Sequence, residues 1–256
     1  MFNKKLRMNL YTCDEGYFIN DKPSLQMDTP DWLRNMKSSA EVVDNETRSK
    51  YNIGTIKNCP GINYFMTEGI KFRLWEDLKI RIYPDGSVRL LPNIPPKTEP
   101  FTQHFPTQYE GLYPNRTAFK LLTPWMGECN SEVKFMFMES HYSTNFFREN
   151  GLYIAPGYTE FKYQNSFSCH ISAALRSEPY DISMPYGLPL FTVYPVTEKK
   201  LEIKHHLITK EEYDRYSNKW PQCPVRRYYK FIQNMTKFVR KMPKFAYFAN
   251  VRTEND

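Results

Sequence analysis

Alternation of apolar and polar positions with a period of two dominates the chain, and it predicts strands almost throughout. Leu6–Thr12 is the first such run. Ile70-Lys71-Phe72-Arg73-Leu74-Trp75 and Leu78-Lys79-Ile80-Arg81-Ile82-Tyr83 alternate apolar with basic residues, the pattern of half-buried strands. Pro84-Asp85-Gly86 then turns the chain into Ser87–Leu91, which predicts a hairpin. From Thr117 to His206 the pattern predicts strands at Thr117–Leu122, Glu132–Met138, Tyr158–Tyr163, Phe167–Leu175, Tyr180–Ser183, Leu190–Tyr194 and Leu201–His205. Pro156-Gly157 and Pro185-Tyr186-Gly187 punctuate them. Many short strands in succession predict a mainly β fold, with an antiparallel sandwich or β-clip-like core rather than a βαβ fold.

The helical signals lie outside that run. Pro60 opens and Gly69 closes a short helix or turn within Cys59–Gly69, and Thr29 can cap a helix whose first position is Pro30. Thr209-Lys210-Glu211-Glu212 is a capping box that opens a helix through Trp220, and a second helix begins after Pro224. Asp14-Glu15-Gly16 reads as a turn, and the polar residues 38–52 as a linker or mobile loop. Residues 92–114 hold six prolines and read as a long surface loop, because proline removes donors that a central strand needs. The expected organisation is an N-terminal arm over 1–55, a β core over 56–208 and two helices in a C-terminal segment over 209–256.

Charge changes this picture at one place. The 256 residues carry 35 Lys and Arg against 28 Asp and Glu, a net charge of +7. Between Pro221 and Val251 lie Arg226, Arg227, Lys230, Lys237, Arg240, Lys241 and Lys244 with no acid, so the rest of the chain is formally neutral. At about 100° per residue, Tyr228, Phe231, Ile232, Met235, Phe238, Val239 and Met242 share the opposite side of that helix. A basic amphipathic helix suits a partner's groove, a membrane surface or nucleic acid, and equally a parent sheet with its basic face in water. Arg226, Arg227, Lys230, Lys237, Arg240 and Lys241 are therefore the candidate partner-binding residues. At 16% aromatic, with 19 Pro and 10 Gly, the composition excludes a disordered, collagenous or coiled-coil chain.

No apolar run approaches the ~20 residues of a spanning helix, and no apolar region follows the early positive charge as in a secretory signal. Cys13, Cys59, Cys129, Cys169 and Cys223 are dispersed, which reads as reduced thiols in a cytosolic protein rather than a disulfide framework or zinc site. No phosphate loop, nucleophile elbow, Cys-x-x-Cys or His-Glu-x-x-His occurs, so no cofactor and no metal site is expected. Glu139, His141 and His170 are the candidate catalytic side chains. Ser140 falls between the first two, but strand geometry sends it to the other face, against a triad.

Two resemblances add to this reading. Gly151-Leu152-Tyr153-Ile154-Ala155-Pro156-Gly157-Tyr158-Thr159-Glu160-Phe161, with Ile182–Phe191, resembles the second half of a dUTPase-type β-clip. The position of that family's water-activating acid falls near Ala155, which has no carboxylate, so the resemblance implies topology without nucleotide hydrolysis. Ile56–Gly61, Phe119–Trp125 and Met184–Leu190, in that order, resemble an uncharacterised family of tailed phages, especially myovirus-type marine phages and cyanophages. This implies a viral protein in a bacterial host's cytoplasm or in the virion.

Three functions follow as expectations. The favoured one is a non-enzymatic phage-encoded β protein working through protein–protein contacts or self-association, as an assembly component or a host-interaction factor. The second is a metal- or nucleotide-dependent enzyme on a β-clip or cupin-like scaffold. The third is nucleic-acid binding through the basic C-terminal helix, with Tyr229 or Phe245 stacking on bases.

Overall fold

The computed structural model describes residues 5–25, 30–91, 101–104, 114–129, 131–162 and 164–219. The first half contains β1 (Leu6–Thr12), α1 (Glu15–Asn20), α2 (Asp31–Asn35), β2 (Ser39–Val43), β3 (Lys50–Gly54), α3 (Pro60–Thr67), β4 (Ile70–Arg73), β5 (Leu78–Ile82), β6 (Val88–Leu90) and β7 (Phe101–Gln103). The second contains β8 (Arg116–Glu128), β9 (Phe135–Glu139), α4 (Phe146–Glu149), β10 (Leu152–Ile154), β11 (Gly157–Thr159), β12 (Ser166–Ala174), β13 (Tyr180–Met184), β14 (Pro189–Pro195), β15 (Leu201–Leu207) and α5 (Lys210–Lys219).

Alternation becomes burial most directly in β1 and β5, where every second side chain enters the core. The largest sheet has the order β10-β12-β8-β1-β15, with β7 also on β8; a second has the order β11-β9-β14-β4. Their inner faces meet in a stack of rings. Phe167 of β12 lies 4.5 Å from Phe72 of β4, and Phe72 lies 4.9 Å from Phe191 of β14. Phe161 closes the stack 4.4 Å from Phe167. The chain is thus mainly β with a sandwich-like core, and its aromatic excess fills the space between two sheets.

A third sheet, β13-β5-β6, carries the expected hairpin at Pro84-Asp85-Gly86. Gly86 turns with φ +83°, and its carbonyl accepts from Thr117 Oγ1 (2.6 Å) and Gln103 Nε2 (2.9 Å). The turn is thereby fastened to β7 and β8. The capping box of α5 also forms: Thr209 N donates to Glu212 Oε2 and Glu212 N donates to Thr209 Oγ1.

Several expectations are corrected. Residues 14–16 do not form a turn alone: Asp14 caps α1, accepting from Tyr17 N at 3.1 Å. The proline-rich 92–114 contains a strand, β7, paired with Phe119–Leu121. β8 does not stop at Leu122 but runs through Pro124. On one edge Pro124 falls between the residues that pair β7 and those that pair β1, and on the other beside a bulge of β12, so no ladder bond needs its missing N–H. α4 interrupts the strands between β9 and β10. Residues 38–52 form most of an antiparallel ribbon rather than a linker.

Pairing in the core is antiparallel except between β1 and β15, which run parallel from Leu6↔Leu201 to Thr12↔Leu207. β1, in the segment read as an arm, lies between β8 and β15 inside the largest sheet. Lys71 on β4 is buried despite the alternation. Of the two expected C-terminal helices, α5 is observed, and the one after Pro224 lies outside the described residues. No helix among the described residues is long and apolar enough to cross a membrane.

Candidate functional site

The three candidate catalytic residues divide between two places. Glu139 ends β9, with its residue 7% exposed. Its Oε1 lies 3.2 Å from Nδ1 of the half-exposed His141, and its Oε2 accepts from Ile154 N at 3.4 Å. Ser140 points the other way, as strand geometry requires, with its hydroxyl 3.2 Å from that of Thr192. Glu139 and His141 form a pair that has no serine. Cys169 lies within electrostatic reach of Glu139, but burial and that carboxylate push its thiol far above the ordinary range, so it remains a protonated core residue.

His170 follows Cys169 on β12, so it faces the other side of the sheet. There it stacks on His104 at 5.0 Å. Desolvation, then Lys120 and His104, lower its pKa to about 4, so it stays neutral at physiological pH although the residue is exposed at the sheet surface. Ala155, where the β-clip resemblance would put the catalytic acid, uses its N–H on the His170 carbonyl at 2.9 Å. Among the described residues, no group of three or more His, Cys, Asp or Glu is placed to hold a metal ion. The basic candidates Arg226, Arg227, Lys230, Lys237, Arg240 and Lys241 lie outside the described residues.

The surface that sequence reading missed is the β2–β3 ribbon. Opposed residues of an antiparallel pair share a face, and the register places Ala40 with Ile53 and Val42 with Tyr51 on one face. Glu41 with Asn52 and Val43 with Lys50 occupy the other, where Lys50 Nζ and Glu41 Oε1 are 2.9 Å apart. Tyr51 is 48% exposed and Ile53 45%, so the apolar face meets solvent instead of a core. Trp32, Ile56 and Tyr64 add exposed apolar surface from the flanking segments.

Local hydrogen bonds hold the ribbon in shape. In its loop, Asp44 Oδ1 accepts from Glu46 N, Thr47 N and Thr47 Oγ1, while Arg48 takes a left-handed φ of 60°. Those bonds, Thr47 N first, hold the Asp44 carboxyl below its ordinary pKa. At the base, Thr55 N donates to Ser38 O, and Asn58 Nδ2 donates to the same oxygen. Arg48→Gly is expected to relieve the left-handed strain, stabilising the ribbon by about 0.5–1 kcal/mol. Slower hydrogen exchange at the Tyr51 amide, by roughly threefold, is the measurement; unchanged or faster exchange contradicts it.

By fold, the chain is a mainly β protein with a sandwich-like core. No protein-family model matches it, and no curated protein does.

Proposed function

We propose that this chain is a non-enzymatic, phage-encoded β protein that works through protein–protein contacts, in particle assembly or on a host protein. The observation that carries this reading is the ordered ribbon with an apolar face turned to water. A two-stranded hairpin is marginal by itself in water, and apolar surface gains stability only when something covers it. The separation of His170 from the Glu139–His141 pair favours contact over catalysis. The resemblance of Ile56–Gly61, Phe119–Trp125 and Met184–Leu190 to tailed-phage sequences supports the viral setting.

The test is a chain carrying Val42→Thr, Tyr51→Thr and Ile53→Thr, which keeps β-formers while removing the apolar face. Its unfolding midpoint is expected to match wild type, because these side chains lie outside the sandwich core. Supplied to a phage that lacks the chain, it is expected to lower the yield of infectious particles by roughly tenfold or more, the loss that about 1.4 kcal/mol of binding energy gives. An unchanged yield overturns the reading.

A further inference from the structure

We infer that the free edge of β3 pairs with the same edge of a second copy of this chain, about a two-fold axis at Asn52. This rests on the contact reading above and adds to it a second copy, joined by its strand edge and not by the apolar face. The sheet formed by β2 and β3 has no further strand among the described residues, and all five residues of β3 are exposed.

The direction of the backbone groups selects the register. Asp44 N donates to Ser49 O and Thr55 N donates to Ser38 O, which bracket the ribbon with hydrogen-bonded pairs. Antiparallel ladders alternate, so between these brackets Val42 with Tyr51 and Ala40 with Ile53 are the hydrogen-bonded pairs. Tyr51 and Ile53 thus spend their N–H and C=O groups on β2. Lys50, Asn52 and Gly54 turn theirs to the open edge.

A two-fold axis at Asn52 satisfies every one of those outward groups. Asn52 exchanges two bonds with its copy, and Lys50 exchanges two with Gly54 of the other chain on each side of the axis. The side chains agree with that register. Tyr51 comes opposite Ile53 of the second copy, an aromatic on a β-branched residue, and does so twice. No like charges are opposed, since Lys50 faces a glycine and already pairs with Glu41.

The same operation at the other edge fails. The outward residues of β2 are Ser39, Glu41 and Val43, and its central two-fold would set Glu41 against Glu41. An axis at Lys50 would oppose two lysines. The result is a four-stranded ribbon, β2-β3-β3-β2, closed to further growth by the glutamate edges. It joins the Ala40, Val42, Tyr51 and Ile53 faces of both copies into one apolar surface.

Because residue 52 opposes itself, its charge tests the axis directly. Sedimentation of the purified full chain is expected to show a dimer at about 50 µM. Asn52→Glu and Asn52→Lys chains are each expected to be monomeric, since like charges meet at the axis. Mixed one to one, they are expected to dimerise again, with at least about tenfold higher affinity than either chain has for itself. Recovery in the mixture also shows that both variants fold. A monomeric wild type, variants that both stay dimeric, or a mixture that fails to associate overturns the inference. A monomeric wild type together with lost particle yield for the threonine variant would remove the second copy while leaving the contact reading intact.

Discussion

Phe167→Ala is expected to lower the unfolding free energy by about 3–5 kcal/mol, the cost of deleting a fully buried aromatic ring. Phe167 has no solvent exposure and touches Phe72 of the second sheet at 4.5 Å and Phe161, in the segment after β11, at 4.4 Å. Its ring also lies over Gly127 of β8: a Cβ there would sit 2.5 Å from Phe167 Cε2 and 3.3 Å from Phe161 Cδ1. Gly127→Ala is therefore expected to cost about 1–3 kcal/mol through overpacking, despite adding one methyl group.

The two changes are coupled, because truncating the ring makes the space that the methyl needs. The double variant Gly127→Ala, Phe167→Ala is expected to be more stable than the sum of the single losses predicts, by about 1 kcal/mol or more. Urea denaturation of the four chains checks this. Simple additivity would mean that the glycine is not set by the ring.

Lys71 is expected to contribute stability that rises with pH, by on the order of 2 kcal/mol from about pH 8 to about pH 10, against an opposite trend from the buried thiols. Lys71 is 5% exposed, and its ammonium donates to the carbonyls of Leu25 (2.6 Å), Glu68 (2.9 Å) and Gly69 (3.3 Å). Burial lowers its pKa from 10.5 to about 8, with Glu68 opposing part of that shift. Below pH 8 the amine is protonated in both states, and the folded state carries the whole cost of burying the charge.

Between the folded and unfolded values the unfolded chain binds the extra proton, so raising the pH favours folding. Thiols and phenols work the other way: burial raises the pKa of Cys13, Cys129, Cys169, Tyr17 and Tyr194, so as the pH climbs through their ordinary ranges the unfolded chain loses those protons first. The wild type is therefore expected to gain on Lys71→Met across that range by on the order of 2 kcal/mol, since methionine has no proton to lose and the thiols and phenols are common to both chains. Chemical denaturation of both chains at intervals across that range is the measurement. A stability difference between the two chains that does not grow with pH would contradict the assignment to Lys71.

Elements whose alternation is matched by local turn chemistry are readable from the chain. The β5–β6 hairpin has Pro84-Asp85-Gly86, α5 has its capping box, and α3 has Pro60 and Gly69; each forms close to where the local pattern puts it. The same reading placed Glu139 and His141 on one face of the chain and Ser140 on the other. The ribbon was less legible. Its apolar face has two positions per strand, diluted among Ser, Glu and Asn, Val43 next to Val42 breaks the alternation, and the Asp44–Ser49 loop lacks the glycine that marks most tight hairpins. The alternation in Ala40-Glu41-Val42 and Tyr51-Asn52-Ile53 is the local signal that marks it.

The sequence by itself determined the strand periodicity, the turns and caps, and so the mainly β class, because these depend on contacts within a few residues. Only the tertiary structure decided which strands meet. β1 joins β15 in parallel from opposite ends of the described chain, and nothing local to Leu6 specifies Leu201. It likewise decided that Lys71 is buried: a covering segment pairs Ser24 with Lys71 and supplies the Leu25 carbonyl. The same packing left the ribbon's apolar face bare. Period two tells which side chains share a face, whereas what covers that face depends on residues far away in sequence.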